Sequence, residues 1–174
     1  MSQFISPPIG YAGLEGQRQL DLSRRQLVET LTYGVSTVSN DGVGETDLIT
    51  YNIEPNVLQA EGQSIFMEAG GAFTNTSNHQ IKAYLGSTNI FDSGSFAPLS
   101  ATVGWVMHLR LIRITALSQL AFTLFGEGSG AFFYSPFYVS ATEDLRTRLS
   151  FRVTANGGVA GSTDMYHYKM FLEA

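Results

Sequence analysis

From Thr46 to the C-terminal end, apolar and polar side chains alternate every second residue, which is the period a strand imposes by pointing neighbouring side chains to opposite faces. Ile49, Tyr51 and Ile53 alternate with Thr50 and Asn52 until Pro55 stops the run. In QSIFMEAGGAF, Ile65, Met67, Ala69 and Phe73 share one parity, and in HQIKAYL Ile81, Ala83 and Leu85 oppose Lys82 and Tyr84. Trp105, Met107, Leu109 and Leu111 form a dry side against Val106, His108, Arg110 and Ile112. Leu120, Phe122 and Leu124 follow as the apolar face of the next strand, then Leu149, Phe151 and Val153. The last strand sets Tyr166, Tyr168, Met170 and Leu172 on one side and His167, Lys169 and Glu173 on the other.

Turn signals separate these runs at Glu61-Gly62, Asn75 to Asn78, Gly86 to Asn89, Gly126 to Gly130 and Asn156 to Gly161. About eight strands punctuated this closely predict an all-β antiparallel sandwich or barrel, with no amphipathic helix after residue 46. The stretch GSTNIFDSG, Gly86 to Gly94, belongs to this scheme. Its first four residues make a hairpin turn after Leu85, Thr88 to Asp92 open the next strand, and Asp92 is a hydrogen-bond acceptor at the strand end rather than a catalytic acid.

Residues 1–45 differ. MSQFISPPIGYAGLEGQ scatters isolated apolar side chains among prolines and glycines, so it reads as an extended arm. Phe4, Ile5, Tyr11 and Leu14 are too apolar for a solvated tail and are the expected partner-binding residues. Beyond them, Ser23 and Gln26 fit a capping box with Leu27, Val28 and Leu31 on one helical face, while Leu27, Leu31, Tyr33 and Val35 also fit a strand. A short helix or turn and then a strand near 31–38 is expected, followed by the loop SNDGVGE with its Asp41-Gly42 turn. The chain thus divides into an arm, 1–45, and a sandwich domain, 46–174.

Composition narrows the function. A chain of 174 residues buries roughly 70% of its unfolded surface. It therefore needs no staples, and it has no cysteine for disulfide, thiolate metal site or nucleophile. Charged residues are 14% of the chain, against roughly 25% in an average soluble domain. With a net charge of −5 and no basic stripe, nucleic acid is not an expected partner. No run approaches the ~18 apolar residues of a membrane helix, and the N-terminal residues lack the pattern of a secretory signal. A surface so poor in charge is suited to meeting other protein.

The residues offer little chemistry. His79, in TNTSNH, is expected to be exposed; His108 and His167 lie on mixed strand faces, with no HxH or HExxH spacing for zinc. Ser129 in GEGSGAF lacks the nucleophile-elbow spacing and a following helix. Glu54, Glu61, Glu68, Asp92 and Glu127 are carboxylates from which a glycosidase pair would have to come, and Glu143-Asp144 would point to opposite faces of a strand. There is no phosphate loop, no dinucleotide fingerprint and no EF-hand around Asp41. Asn75-Thr76-Ser77 marks a loop. The chain is thus expected to be no enzyme, with no cofactor and no metal. The aromatic content of 12% serves either packing or a sugar platform of Tyr134, Tyr138, Tyr166 and Tyr168, and FFYSPFY (132–138) is dense enough to be a contact site.

Several stretches in order are similar to a known pattern. YNIEPNVLQAEGQSIFMEAGGAFTNTSN (51–78) contains I-x-x-N-x-L, a turn and an apolar strand closing on G-x-F. IKAYLGSTNIFDSG (81–94) adds a strand, G-x-T and F-D-x-G, and Trp105 with LRLIRIT (109–115) and Gln119 supplies a W and R-x-x-R segment. Together, over about 46–174 and fading after 125, these resemble the jelly-roll-like domain of tailed-phage virion structural proteins, found on heads and tail appendages. The resemblance implies an antiparallel jelly-roll-like sandwich, commonly a homotrimer, without catalysis. The expected function is a virion structural protein, a capsid decoration or cement protein binding the major capsid protein or other virion proteins through its arm. Two alternatives are a tail-fibre or tail-adaptor component and a carbohydrate-binding module. Met107, His108 and FFYSPFY depart from the pattern.

Overall fold

The computed structural model describes residues 28–42, 44–128 and 135–173. Phe4, Ile5, Tyr11 and Leu14 lie outside them, as do Ser23, Gln26, Ser129 and Tyr134. Among the described residues every regular element is a strand: β1 (Val28–Gly34), β2 (Val38–Ser39), β3 (Thr46–Ile53), β4 (Ser64–Phe73), β5 (Gln80–Leu85), β6 (Thr88–Asp92), β7 (Val103–Thr115), β8 (Ser118–Glu127), β9 (Ser135–Ala141), β10 (Leu149–Asn156) and β11 (Thr163–Glu173). All pairings are antiparallel. The large sheet runs β1-β11-β4-β7-β8-β9 with β2 also on β11, and the small sheet runs β3-β10-β5-β6. The chain crosses between sheets at β2 to β3, β3 to β4, β4 to β5, β6 to β7, β9 to β10 and β10 to β11, the interleaving of an antiparallel two-sheet sandwich.

The first strand differs from expectation at both ends. Val28 to Gly34 pairs with Glu173 to Tyr168, so Val28 and Leu31 belong to a strand and not to a helical face. The strand ends at Gly34, four residues early, and the short β2 takes up Val38 and Ser39. Long-range pairing along β11 decides a stretch whose local pattern fits both states.

The core forms where the inner faces of the sheets meet. Ile65, Met67, Ala69 and Phe73 of β4, with Met107, Leu109 and Leu111 of β7, have no exposed surface. The small sheet answers with Ile81, Ala83 and Leu85 of β5 and Phe151, Val153 and Ala155 of β10. Phe91 on β6 reaches across to Phe137 and Phe125 on the large sheet at 5.0 and 5.6 Å between ring centres, closing one side of the sandwich.

Two strands break the expected alternation. On β8 the core-facing residues are Gln119, Ala121, Thr123 and Phe125, while Leu120, Phe122 and Leu124 are half-buried on the opposite side. Their pairing with β7 sets this parity, because Thr123 and Ala121 lie beside Leu109 and Leu111 on the core face. On β11 a bulge between Met165 and His167 shifts the phase. Met165 and Met170 both face the core, whereas Tyr166 is displaced outward and exposed instead of sharing a face with Tyr168 and Met170.

Gly71 sits opposite that bulge, and no side chain fits there. A Cβ on Gly71 would lie 1.8 Å from the Asp164 carbonyl oxygen, which also accepts the Trp105 indole N–H at 3.0 Å. Gly71→Ala is therefore expected to push β11 from β4 at a cost of about 2–3 kcal/mol, lowering the Tm by roughly 5–10 °C for a chain of this size. Gly104→Ala, whose Cβ would meet only the Gly71 carbonyl oxygen at 3.8 Å, should change stability by under about 0.5 kcal/mol. Thermal unfolding of the two variants followed by circular dichroism checks both.

Candidate functional site

The polar residues that the sequence brings forward mostly brace the fold. Asp92 accepts hydrogen bonds on Oδ1 from the Gly94 amide at 2.8 Å and the Gln80 side chain at 2.7 Å, ending β6. The turn before it, Gly86-Ser87, has Gly86 at φ +56° and is gripped by Glu143 from the far side of the chain. Glu143 Oε1 accepts from the Ser87 and Thr88 amides at 3.0 Å each and from the Thr88 hydroxyl at 2.8 Å. Burial alone would raise the Glu143 pKa, but the hydrogen bonds from Thr88 and Ser87 outweigh it and hold the carboxyl below its ordinary range. Glu143 is held in turn by Gln119, whose buried amide donates to the Glu143 carbonyl at 2.8 Å and accepts its N–H at 3.1 Å. Asp144 turns away to pair with Arg146 at 2.8 Å, so the two acids lie in a loop and serve separate partners.

His79 is buried, contrary to the exposure its turn-rich surroundings suggest. Its backbone forms an isolated bridge with Phe96, which draws the turn into the end of the sandwich against the Phe73 ring. Nδ1 meets the Thr163 hydroxyl at 2.8 Å, and Nε2 faces the Asn75 carbonyl and side-chain oxygens at 3.2 and 3.1 Å. Two acceptors at Nε2 require the proton there, so the neutral ring accepts from Thr163 on Nδ1. Burial lowers the basicity of the ring more than the Asn75 carbonyl raises it. A second buried brace is Asn40: Oδ1 accepts the Thr163 amide at 2.8 Å and Nδ2 donates to the Val159 carbonyl at 3.0 Å, tying the 157–163 loop to β2.

The remaining carboxylates do not converge. Glu54 pairs with Arg148 at 2.8 Å, Glu61 is exposed in the β3–β4 loop, and Glu127 is buried at the end of β8. Glu68 lies on the outer side of β4, its oxygens 3.9 and 3.8 Å from Nε2 of His108 and His167. Among the described residues no group of three or more His, Asp or Glu side chains is placed to hold a metal ion. Of the expected platform, the three described tyrosines do not come together either. Tyr138 is on β9 and Tyr166 at the β11 bulge, separated by β4, β7 and β8, while Tyr168 packs toward the core.

What stands out is the contrast between the two outer faces. The small sheet presents a polar lattice. Arg152 pairs with Asp47 at 3.2 Å and covers the Tyr84 ring, Lys82 pairs with Glu45 at 2.8 Å, and the Tyr84 hydroxyl donates to the same carboxylate. The outer face of the large sheet sets an aromatic row among charged side chains, including the Arg110–Glu173 pair at 2.8 Å and Glu68 between His108 and His167. Register places Phe171, Phe66, Arg110, Phe122 and Tyr138 in one row across β11, β4, β7, β8 and β9. Phe66 stacks with Phe171, Phe122 meets Tyr138 at 4.9 Å between centres, and Arg110 and Lys169 lie over Phe66 and Phe171. Leu120, Leu124, Ile112 and Val106 fill the neighbouring rows, and Tyr138 is 66% exposed. The sequence contains every residue of this face, but parity alone assigned Leu120, Phe122 and Leu124 to the core. Of the FFYSPFY run, Phe137 packs inward beside Phe91 and Tyr138 joins the outer row.

No protein-family model matches the chain, and no curated protein matches it.

The two titratable braces give stability a defined acid limb. The native fold holds His79 neutral with lowered basicity, so the unfolded chain binds more protons as pH falls below about 6.5, and stability declines there toward the folded pKa. Glu143, whose folded pKa is depressed, adds a second decline at lower pH, as its carboxylate is protonated. Urea unfolding from pH 7.5 down to about 2.5 should show both, the lower decline starting only near pH 4.5, with the upper decline missing in His79→Gln. Glu143→Gln should cost about 1–2 kcal/mol at pH 7 through weakened charge-assisted bonds.

Proposed function

We propose that this chain is a non-enzymatic structural protein of a viral particle, acting as a homotrimeric block that decorates or cements a capsid shell. The observation that carries this reading is the unequal pair of outer faces: the small sheet is finished with polar side chains and ion pairs, while the large sheet adds to its charges a row of aromatic rings with aliphatic neighbours suited to protein contact. The catalytically competent side-chain types are occupied in bracing: His79, Glu143 and Asp92 each hold a turn. A rigid block with a dry core and pinned loops fits a passive mechanical role. The likeness of its ordered motifs to the jelly-roll-like domain of tailed-phage virion proteins favours a virion over other assemblies.

In this reading residues 1–27 reach from the edge strand β1 to the shell. Each of Phe4, Ile5, Tyr11 and Leu14 contributes about 1.5–3 kcal/mol if fully buried, against roughly 1–2 kcal/mol for every backbone residue ordered. A single arm therefore nearly breaks even, and attachment depends on three arms binding together. A chain lacking residues 1–20 is expected to keep its strand-rich circular-dichroism spectrum and its trimeric mass by light scattering, yet to lose co-sedimentation with particles. Full occupancy by the shortened chain would overturn the anchoring role.

A further inference from the structure

We infer that the outer face of β11, β4, β7, β8 and β9 is where copies of this chain meet one another. The inference rests on the assembly reading above and names the surface that reading requires. Four observations carry it. The face is composed like an interface, with Arg110 on its central strand between Phe66 and Phe122, and Tyr138 at its edge on β9; aromatic residues and arginine are enriched in protein contacts.

Its charges are also self-complementary. Lys169 and Arg110 share the face with Glu68 and Glu173, and Arg110 already pairs with Glu173 at 2.8 Å. A second copy therefore offers each charge an opposite one, which an apolar ligand or a uniformly charged partner would not.

Area is the third point. Five strands about 4.8 Å apart and roughly six residues of each strand give an exposed face of about 500 Å². Laid against one other copy the face would bury about 1,000 Å², the floor for a specific contact, and three such faces turned to a common threefold axis bury about 1,500 Å² together.

Finally, the opposite side of the sandwich does not compete. The small sheet's outer surface carries Thr50, Asn52, Ser150, Arg152 and Lys82, with the Tyr84 ring already under Arg152, so among the described residues it offers no comparable aromatic row to bury.

The absence of cysteine from the chain allows a direct test. The mass of the full chain is measured by light scattering for the parent, for Phe122→Asp on the large sheet and for Asn52→Asp on the small one. In parallel, single cysteines at Leu120→Cys and Asn52→Cys are labelled with a maleimide over a range of protein concentrations. The expected result is a multimeric parent, a folded monomer for Phe122→Asp and an unchanged multimer for Asn52→Asp. Labelling at position 120 should be about tenfold slower than at 52 and should speed up on dilution.

If the parent is multimeric but position 120 labels as fast as position 52, the face is wrong and the assembly reading stands. A monomeric parent overturns both. Slow labelling at 120 that ignores dilution means residues of the same chain cover the face, which also overturns the inference. Should Phe122→Asp fail to fold, the labelling comparison alone decides.

Discussion

Ile65, Met67, Leu109 and Leu111 are sealed from solvent on adjacent strands of the large sheet, pressed against Ile81, Ala83, Val153 and Ala155 of the small one. Everything else depends on that closure. Each large side chain sealed there contributes about 1.5–3 kcal/mol, the main force opposing the loss of roughly 1–2 kcal/mol of backbone freedom per residue. Because a strand shows only every second side chain to this layer, the opposite parity is released from packing. What it carries is then free to serve water or a partner. The two sheets use that freedom in opposite ways, and the functional proposal grows from the difference.

The ends of a sandwich are harder to close than its middle, because loops bring backbone groups with no ladder to join. This chain closes them with buried side chains that act as substitute backbone. Gln119 exchanges two hydrogen bonds with the main chain of Glu143, as a neighbouring strand would, and Glu143 then gathers the donors of the Gly86-Ser87 turn. Asn40 does the same for the 157–163 loop, and His79 bridges Asn75 to Thr163. The motif residues sit among these braces: Asn56 takes the left-handed conformation at φ 61°, Leu58 is buried, the Trp105 indole holds Asp164, and the Arg113 guanidinium donates to the Leu58 carbonyl.

Much of this was legible beforehand. The core sides of β4, β5, β7 and β10 follow from alternation, and Asp92 is an acceptor at a strand end as its turn-rich setting implies. His79 was misjudged because TNTSNH has the composition of a loop; the bridge to Phe96 that buries it joins residues seventeen positions apart in sequence, with no local signature. Tyr166 was misplaced because a single inserted residue reverses parity downstream of it. The outer face was missed for the same kind of reason: Leu120, Phe122 and Leu124 look like core to any reading that equates apolar with inside.

By itself the sequence determined that the described chain from Thr46 onward is built of strands, where most of them begin and end, and which side chains travel together on one face over most strands, since those follow from a two-residue period and from turn chemistry within a few residues. Only the tertiary structure decided which face of β8 turns inward, where the bulge falls, and that His79, Glu143, Gln119 and Asn40 are braces. Those outcomes are set by register between strands far apart in the chain, and a local pattern holds no record of what lies across the ladder.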